Sequence, residues 1–573
     1  MKSSASLNTA YRLVRRADAQ WVPVPETATG HGAARAGAVM VAHLLLAALP
    51  LVANAGPPGA TTLPSGGSLA AGQASWQAHG NTLTVNQASQ RAVIDWQRFD
   101  LGSQASVVFN QAAGRNAATL NRVLGQQPSQ ILGRIQAPGQ VFISNPAGVI
   151  FGAGASVDVG GLVGTTMSIS NADFMAGNGV WQRQGSTGAV INQGTLTAAD
   201  GGYVALLAPE VRNEGVVLAR AGTVALAAGE SIRLDFDGPG LSSVLVTPAA
   251  IKTLVDNRQA VLAPEGLVIL SARSAESLRS GVVNQAGVVD ASSMVSRGGR
   301  VMLEGDSIAL TAGSRIDATG ATGGGSVHVG GGWQGSGPLA GATTVVMAGG
   351  ASIDASATRR GDGGEVVLWS DVGRAGTRTE AQGRISARGG AEGGDGGRVE
   401  TSGHTLDIRG ARVDASSAKG RGGRWLLDPT DLTIDAAQAA TIVTALEGGT
   451  DTAVQTANGS VIVDSGIRWT SSADLTLDAA ADIHVRAPIL AEHANAVLTF
   501  KYGQGAVAAG NTADYHVLAP IGLNGGPNFV TLKGSDGTPI THTVINAVGL
   551  ENDSGGLTLQ GMRGNLAGHY VLG

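Results

Sequence analysis

The sequence predicts an all-β chain folded as a right-handed parallel β-helix, a single-stranded solenoid with short extra-helical hairpins and a few short helices. Three observations carry that prediction. Residues from about 70 to 300 alternate short apolar runs with Gly, Asn and Asp turns, as in Leu83-Thr84-Val85, Ala92-Val93-Ile94-Asp95-Trp96 and Ser106-Val107-Val108-Phe109. From about 284 to 429 a two-part pattern recurs: an aliphatic residue, Asp, Ala and Ser or Thr, then a Gly-Gly pair leading into a strand. Finally, 87 of the 573 residues are Gly, roughly twice average usage, while aromatics make up 4% and charged residues 14%. Ample Ala, Val and Leu exclude a disordered chain, and the glycines do not keep the three-residue period of collagen.

The N-terminus reads as a targeting segment. Lys2, Arg12, Arg15 and Arg16 make a basic start, residues 36–52 are apolar, and Ala53-Asn54-Ala55 supplies the small-x-small pattern of signal peptidase, with cleavage before Gly56. The competing reading, a membrane anchor, is short at seventeen residues interrupted by His43 and Pro50. The leader holds five basic groups (Lys2, Arg12, Arg15, Arg16, Arg35) and two acidic ones (Asp18, Glu26). The formal charge of −5 therefore becomes −8 once it is removed. That balance argues against nucleic acid as a partner, and no later segment is long and apolar enough to span a membrane. Absence of Cys excludes disulfides and thiolate metal sites, and it suits a chain kept extended in an oxidising periplasm.

At the centre of the N-terminal half, Gly139-Gln140-Val141-Phe142-Ile143-Ser144-Asn145-Pro146-Ala147-Gly148-Val149-Ile150-Phe151-Gly152 reads as strand, tight turn, strand. Pro146 presets φ near −65° for the first corner, and Gly148 can take the positive φ that a following corner requires. This string resembles the signature of the filamentous-haemagglutinin N-terminal (secretion) domain, usually Asn-Pro-Asn-Gly-Ile/Val. The likeness continues on both sides, in family order: Trp96 to Gly102, Leu120 to Gly125, Gly160 to Thr166, and Leu234 to Leu241. The front half of the leader, Asn8 to Arg16 and Trp21 to Glu26, is similar to the extended signal-peptide region of such exoproteins. Two departures are visible: Ala147 replaces the usual second Asn, and no Asn-Pro-Asn-Leu motif stands upstream.

The resemblance, to the two-partner-secretion exoprotein (TpsA) family, implies a secretion motif at Asn145, Pro146, Ala147, Gly148 and Val149. It also implies a partner: an outer-membrane transporter of the Omp85 type, a barrel with periplasmic POTRA domains. The implied destination is the medium or the bacterial surface, reached via the periplasm. The implied task is adhesion to an unidentified host-cell or bacterial receptor, and the competing one is the stalk of an interbacterial toxin.

The remaining elements follow in order. Thr247-Pro248-Ala249-Ala250-Ile251-Lys252-Thr253-Leu254-Val255 predicts a helix, with a capping Thr, a Pro in the first turn, and Ile251, Leu254 and Val255 on one face. The repeats place Asp290, Asp317, Asp354, Ser386 and Asp414 in equivalent positions 27, 37, 32 and 28 residues apart. Constant cores with variable spacing predict stacked strands whose loops grow and shrink. The recurrent Asp reads as a turn former, and a Ca²⁺ ladder is the competing idea although the nonapeptide calcium repeat is missing. Ten to twenty coils at about 4.8 Å each would make a rod of roughly 50–100 Å. Residues 436–446 predict a helix capped by Asp435 and stopped at Gly448, and strands resume at Val461-Ile462-Val463 and Leu475-Thr476-Leu477. The domains are thus residues 1–55 (leader), 56–300 (secretion domain), 284–429 (Gly-rich repeats) and 430–573 (a further β-rich segment). The last ends in what resembles the opening of another family module.

No catalytic constellation is visible. The ten histidines are scattered without a His-x-x-x-His pair, there is no nucleophile elbow or Walker loop, and no helix follows Gly323-Gly324-Gly325 to bind phosphate. No enzyme activity, metal or cofactor is therefore expected. A β-helix glycan-degrading enzyme would need carboxylates and a basic group converging on one groove, in a chain with only five Lys. Arg360-Gly361-Asp362 spells a cell-attachment motif, yet it also sits where the repeat requires a Gly-Asp-Gly-Gly turn.

Overall fold

A computed structural model describes residues 11–15, 21–25, 56–505, 507 and 510–573. It divides into Met1–Gly56 and Pro57–Gly573. In the first unit Tyr11–Arg15 and Trp21–Pro25 pair as an antiparallel hairpin. The apolar run 36–52 and the cleavage residues Ala53 and Ala55 lie outside the described residues.

The second unit is a parallel β-helix in which every coil contributes a strand to each of three ladders. The first ladder stacks Thr82–Gln87, Ser106–Gln111 and their successors up to Arg412–Asp414. The second runs from Arg91–Trp96 to Gly526–Lys533. The third joins ten strands from Ser129–Ile131 to Thr405–Asp407, and four more from Leu432–Ile434 to Tyr515–Val517. The ladders pass from the secretion-domain residues into the repeats without a break. At the N-terminal end the strands turn antiparallel: Ser68–Ala71 covers Arg91–Trp96, and Ala74–His79 covers Thr82–Gln87. This blunts the first coil's open edge.

Alternation decides the packing. In the repeats Val301, Val327, Val366, Val399 and Trp425 stack inward at one level of the second ladder, all at most 1% exposed. In the secretion domain that ladder is apolar on both faces. Its outward Val93, Leu120, Phe142, Val163, Tyr203 and Ala225 are covered by helix α1 (Asn171–Ala176) and by a three-stranded antiparallel sheet of Val180–Gln182, Ser231–Asp237 and Gly240–Thr247. This is the extra-helical hairpin that the sequence implied, and the family-like string Leu234 to Leu241 forms its turn, with Gly238 at φ +58°.

The two halves of the repeat prove to be one interlocking corner. Val289, Ile316, Ile353, Ile385 and Val413 lie in register, and so do the residues that follow them. Oδ1 of Asp290, Asp317, Asp354 and Asp414 each accepts the backbone N–H two residues on, at 2.8–3.1 Å. Within a coil, the second Gly donates its N–H to the carbonyl of the Ala beside that Asp, as in Gly299 to Ala291 and Gly397 to Ala387. Between coils those same glycines nearly touch. A Cβ on Gly299, Gly325, Gly364, Gly397 or Gly423 would lie 2.0–2.2 Å from the carbonyl oxygen of the matching Gly one coil earlier. The column reaches back through Gly266, Gly222 and Gly202 to Gly160. Glycine is thus fixed by backbone approach, and not by a special dihedral.

One sequence expectation fails. Residues 247–255 form no helix: Thr247 ends an extra-helical strand, and Thr253–Asn257 is a rung of the third ladder between Glu210–Asn213 and Gly281–Gln285. Val255 is fully buried and inward-facing, whereas Leu254 points outward. Ladder pairing on both sides outweighs the local Thr-Pro capping signal. The second expected helix is present. Helix α2 (Ala436–Glu447) has Asp435 as N-cap in a complete capping box with Gln438, and Gly448 as C-cap. It buries Ala439, Ile442, Ala445 and Leu446. It takes the place of one rung of the first ladder, between Arg412–Asp414 and Ile467–Trp469, where strands then resume.

Candidate secretion interface

The Asn145-Pro146-Ala147-Gly148 string is a coil corner between the second and third ladders. Asn145 is fully buried and organises it. Its Oδ1 accepts the Ala147 N–H (3.0 Å), and its Nδ2 donates to Gln127 O (2.9 Å) and Ser129 Oγ (3.0 Å). Its carbonyl accepts the Gly148 N–H at 3.0 Å and closes the turn. Gly148 adopts φ +134°, the backbone freedom expected of it. Val149 is buried and pairs with Ser129 and Val190. The following coil locks on from the other side, as Ser186 Oγ–H donates to Pro146 O at 2.8 Å. Of the five residues only Pro146 is exposed, with Ala147 partly so.

The flanking strings hold neighbouring coils together in the same way. Trp96 Nε1–H donates to Asn121 Oδ1 at 3.1 Å, and Arg122 makes a two-point ion pair with Asp95 at 2.8 and 3.0 Å. Gly161 leaves room for the buried Tyr203 ring, 2.7 Å from where its Cβ would be. Burial pushes the Tyr203 phenol up, so it stays protonated and donates to Gln140 Oε1 at 2.8 Å. Thr165 Oγ1–H donates to Leu207 O at 2.8 Å.

A protein-family model for the TPS secretion domain matches residues 60–318. The chain belongs to the two-partner-secretion exoproteins. Its TPS domain therefore implies an outer-membrane TpsB transporter as partner. Two curated relatives are heme/hemopexin-binding proteins of Haemophilus influenzae. One is 32% identical over 260 residues (44% of this chain, 28% of the relative) and the other 30% identical over 257 (41% and 27%). The chain thus spans less than a third of their length. The crystal structure of the HMW1 secretion domain from Haemophilus influenzae superposes with a TM-score of 0.50 at 29% identity, covering 64% of this chain and all of that one.

Other candidate residues lie around or beyond the TPS domain. Gly56, at the expected cleavage point, is exposed. Arg360-Gly361-Asp362 is a coil corner of the repeats. The Arg360 and Asp362 side chains are exposed, but the Gly361 N–H donates to Gly393 O (2.8 Å), Gly390 N–H donates to Gly361 O, and Asp395 N–H donates to Asp362 Oδ1. Gly361 has φ +90° and nearly touches Thr322. The triplet is held between two coils instead of standing at a loop tip.

Two features escaped the sequence reading altogether. Inside the TPS domain, fully buried amides form a ladder at the end of the third-ladder strands. Asn192, Asn213 and Asn257 each donate Nδ2–H to the next coil's amide oxygen, ending on Gln285, at 2.8 Å per step. In the repeats, the segment 330–343 wraps the Trp369 ring and covers a carboxylate. Gln334 N–H and Ser402 Oγ–H both donate to Glu400 at 2.7 Å, and the Arg398 guanidinium lies 4.6 Å from the Trp333 ring centre. Burial, with the nearby charges of Asp428 and Glu365 adding to it, pushes Glu400 up to about 7. Burial likewise raises Asp428 and Asp451 to about 6. The histidines are spread along the solenoid, with His328 on Glu365 Oε1 (2.6 Å) and His404 on Thr430 Oγ1 (2.8 Å).

Proposed function

We propose that the TPS domain is read by an Omp85-type barrel with periplasmic POTRA domains, and that the chain then acts at the cell surface or in the medium as a non-enzymatic adhesin. The observation that carries this reading is the continuity of the solenoid. The secretion domain supplies the first coils, and each later coil hydrogen-bonds to the one before it. A chain emerging N-terminus first would find its template already outside, which biases passage in one direction. The antiparallel cap supports contact with the transporter: among the described residues Ala74–His79 pairs on one side only, which leaves an edge for strand addition. Corners such as Arg360-Gly361-Asp362 and the outward residues of a long rod supply adhesive surface. The heme and hemopexin binding of the relatives adds nothing to this reading, because the shared stretch is under a third of their length.

The test is export of the full chain with and without its cognate transporter. We expect release only with the transporter, export of residues 1–318 alone, and retention of the released full chain on cultured cells or abiotic surfaces. Transporter-independent release would overturn the route, and failure to be retained on any surface would overturn the adhesin. Asn145→Ala leaves buried partners unsatisfied, at about 1–3 kcal/mol, and should lower export together with folded stability. Pro146→Ala changes only an exposed side chain and should leave both close to wild type. Loss of export with stability intact in Pro146→Ala would instead make the corner itself a recognition surface.

A further inference from the structure

Beyond the TPS domain, the structure joins residues that stand far apart in the chain. Ile483–Val485 and Tyr515–Val517 are consecutive strands of the third ladder, with His484 directly opposite His516. Ile483 and Val485 are fully buried, so alternation turns His484 outward, and Asp482, two residues earlier, shares its side. The two imidazoles stack with ring centres 4.8 Å apart and planes 13° apart. One carboxylate oxygen of Asp482 and one ring nitrogen of each histidine lie within 4.8 Å of one another.

We propose that Asp482, His484 and His516 bind a divalent transition metal ion of the Zn²⁺ class. Two imidazoles and one carboxylate make a common three-ligand set for such an ion, and the fourth position is left to water because the site opens to solvent. Strands offer this set readily. Positions i and i+2 supply two ligands on one face, and the opposed residue of the next strand supplies the third. Closing the ligand atoms to the roughly 3.3 Å edge of a tetrahedron needs only side-chain rotation. The carboxylate is already oriented: Oδ1 of Asp482 accepts the Asp514 N–H at 2.8 Å, and Ser460 Oγ accepts the Asp482 N–H at 3.2 Å. Such outer contacts fix a ligand before the ion arrives. The nearby Arg486 is drawn to Asp464 at 3.5 Å, and the exposed Asp514 adds negative charge beside the site. The chain has no Cys to compete for the ion.

The test uses the full secreted chain, made without a polyhistidine tag and stripped with a chelator. Calorimetric titration with Zn²⁺ should give one saturable site per chain, and Co²⁺ should give visible ligand-field bands without thiolate charge transfer. His484→Ala and His516→Ala should each weaken Zn²⁺ binding at least ten-fold, and Asp482→Asn should weaken it as well. His493→Ala should bind like wild type. His516 is exposed, so its variant keeps the fold, as circular dichroism will verify. Absence of saturable binding overturns the proposal. So does one-site binding that persists in the His484→Ala/His516→Ala double variant, because the ion would then sit elsewhere.

Discussion

Asn213 illustrates how much a single side chain carries in this solenoid. Its amide receives from Asn192, donates to Asn257, and its oxygen lies 3.4 Å from the Gly215 N–H that it accepts, all without access to water. Asn213→Ala removes these partners at once and leaves a donor on Asn192 and an acceptor on Asn257 unmatched. The expected cost is about 2–4 kcal/mol, summed from unsatisfied buried groups. A shift in the urea midpoint of the TPS domain would measure it, and Asn110→Ala, on an exposed pair with Asn86, should shift it little. Such residues were hard to find from sequence. Asn192, Asn213, Asn257 and Gln285 are 21, 44 and 28 residues apart, because the extra-helical hairpin is inserted in the middle of the series. The same reason hid His484 from His516. Asn145 was legible because its turn chemistry is local, although what it does, holding three coil segments, is not.

Among elements, the strap of residues 330–343 has a measurable electrostatic signature. Glu400 lies beneath it with a pKa pushed up to about 7, against 4.5 in an exposed glutamate. The folded state therefore holds a proton that the unfolded chain has released over that interval. Stability from this group is full below pH 4.5, declines as pH rises toward 7, and is lost above it. Glu400→Gln keeps an acceptor for the Gln334 N–H and removes the charge. It should raise Tm at pH 8 and leave it nearly unchanged at pH 4.5, as scanning calorimetry at both pH values would record. An equal effect at both would show that Glu400 is not desolvated. Elements also show where local signals mislead. Residues 247–255 carry good helix-start chemistry and still become a rung, whereas residues 435–447 carry similar chemistry and stay helical. The capping box with Gln438 and the four buried residues of α2 make the difference, and neither is available to Thr247.

At the scale of the molecule, the architecture was legible because its grammar repeats. The aliphatic-Asp-Ala and Gly-Gly halves fall in register over five coils, and the spacing between them changes only in the loops. What composition concealed was the role of the glycines: a column in backbone contact from Gly160 to Gly423, where a methyl group would collide with the coil before it. The same column joins the TPS domain to the repeats, so export module and rod are built on one continuous frame.

Helix α2 has a mechanical consequence. At every other level between residues 384 and 491 three columns of hydrogen bonds tie one coil to the next, but at α2 the first column is replaced by side-chain packing. Tension along the axis is borne there by two columns, which makes this level the yield point of the rod. Because the chain contains no Cys, paired cysteines give unique handles for single-molecule pulling. Handles at Arg384 and Glu492, which bracket α2, should part at a lower force than handles at Arg315 and Arg412, which do not. A surface protein under flow would then extend at one chosen coil while the TPS domain at its base keeps its shape.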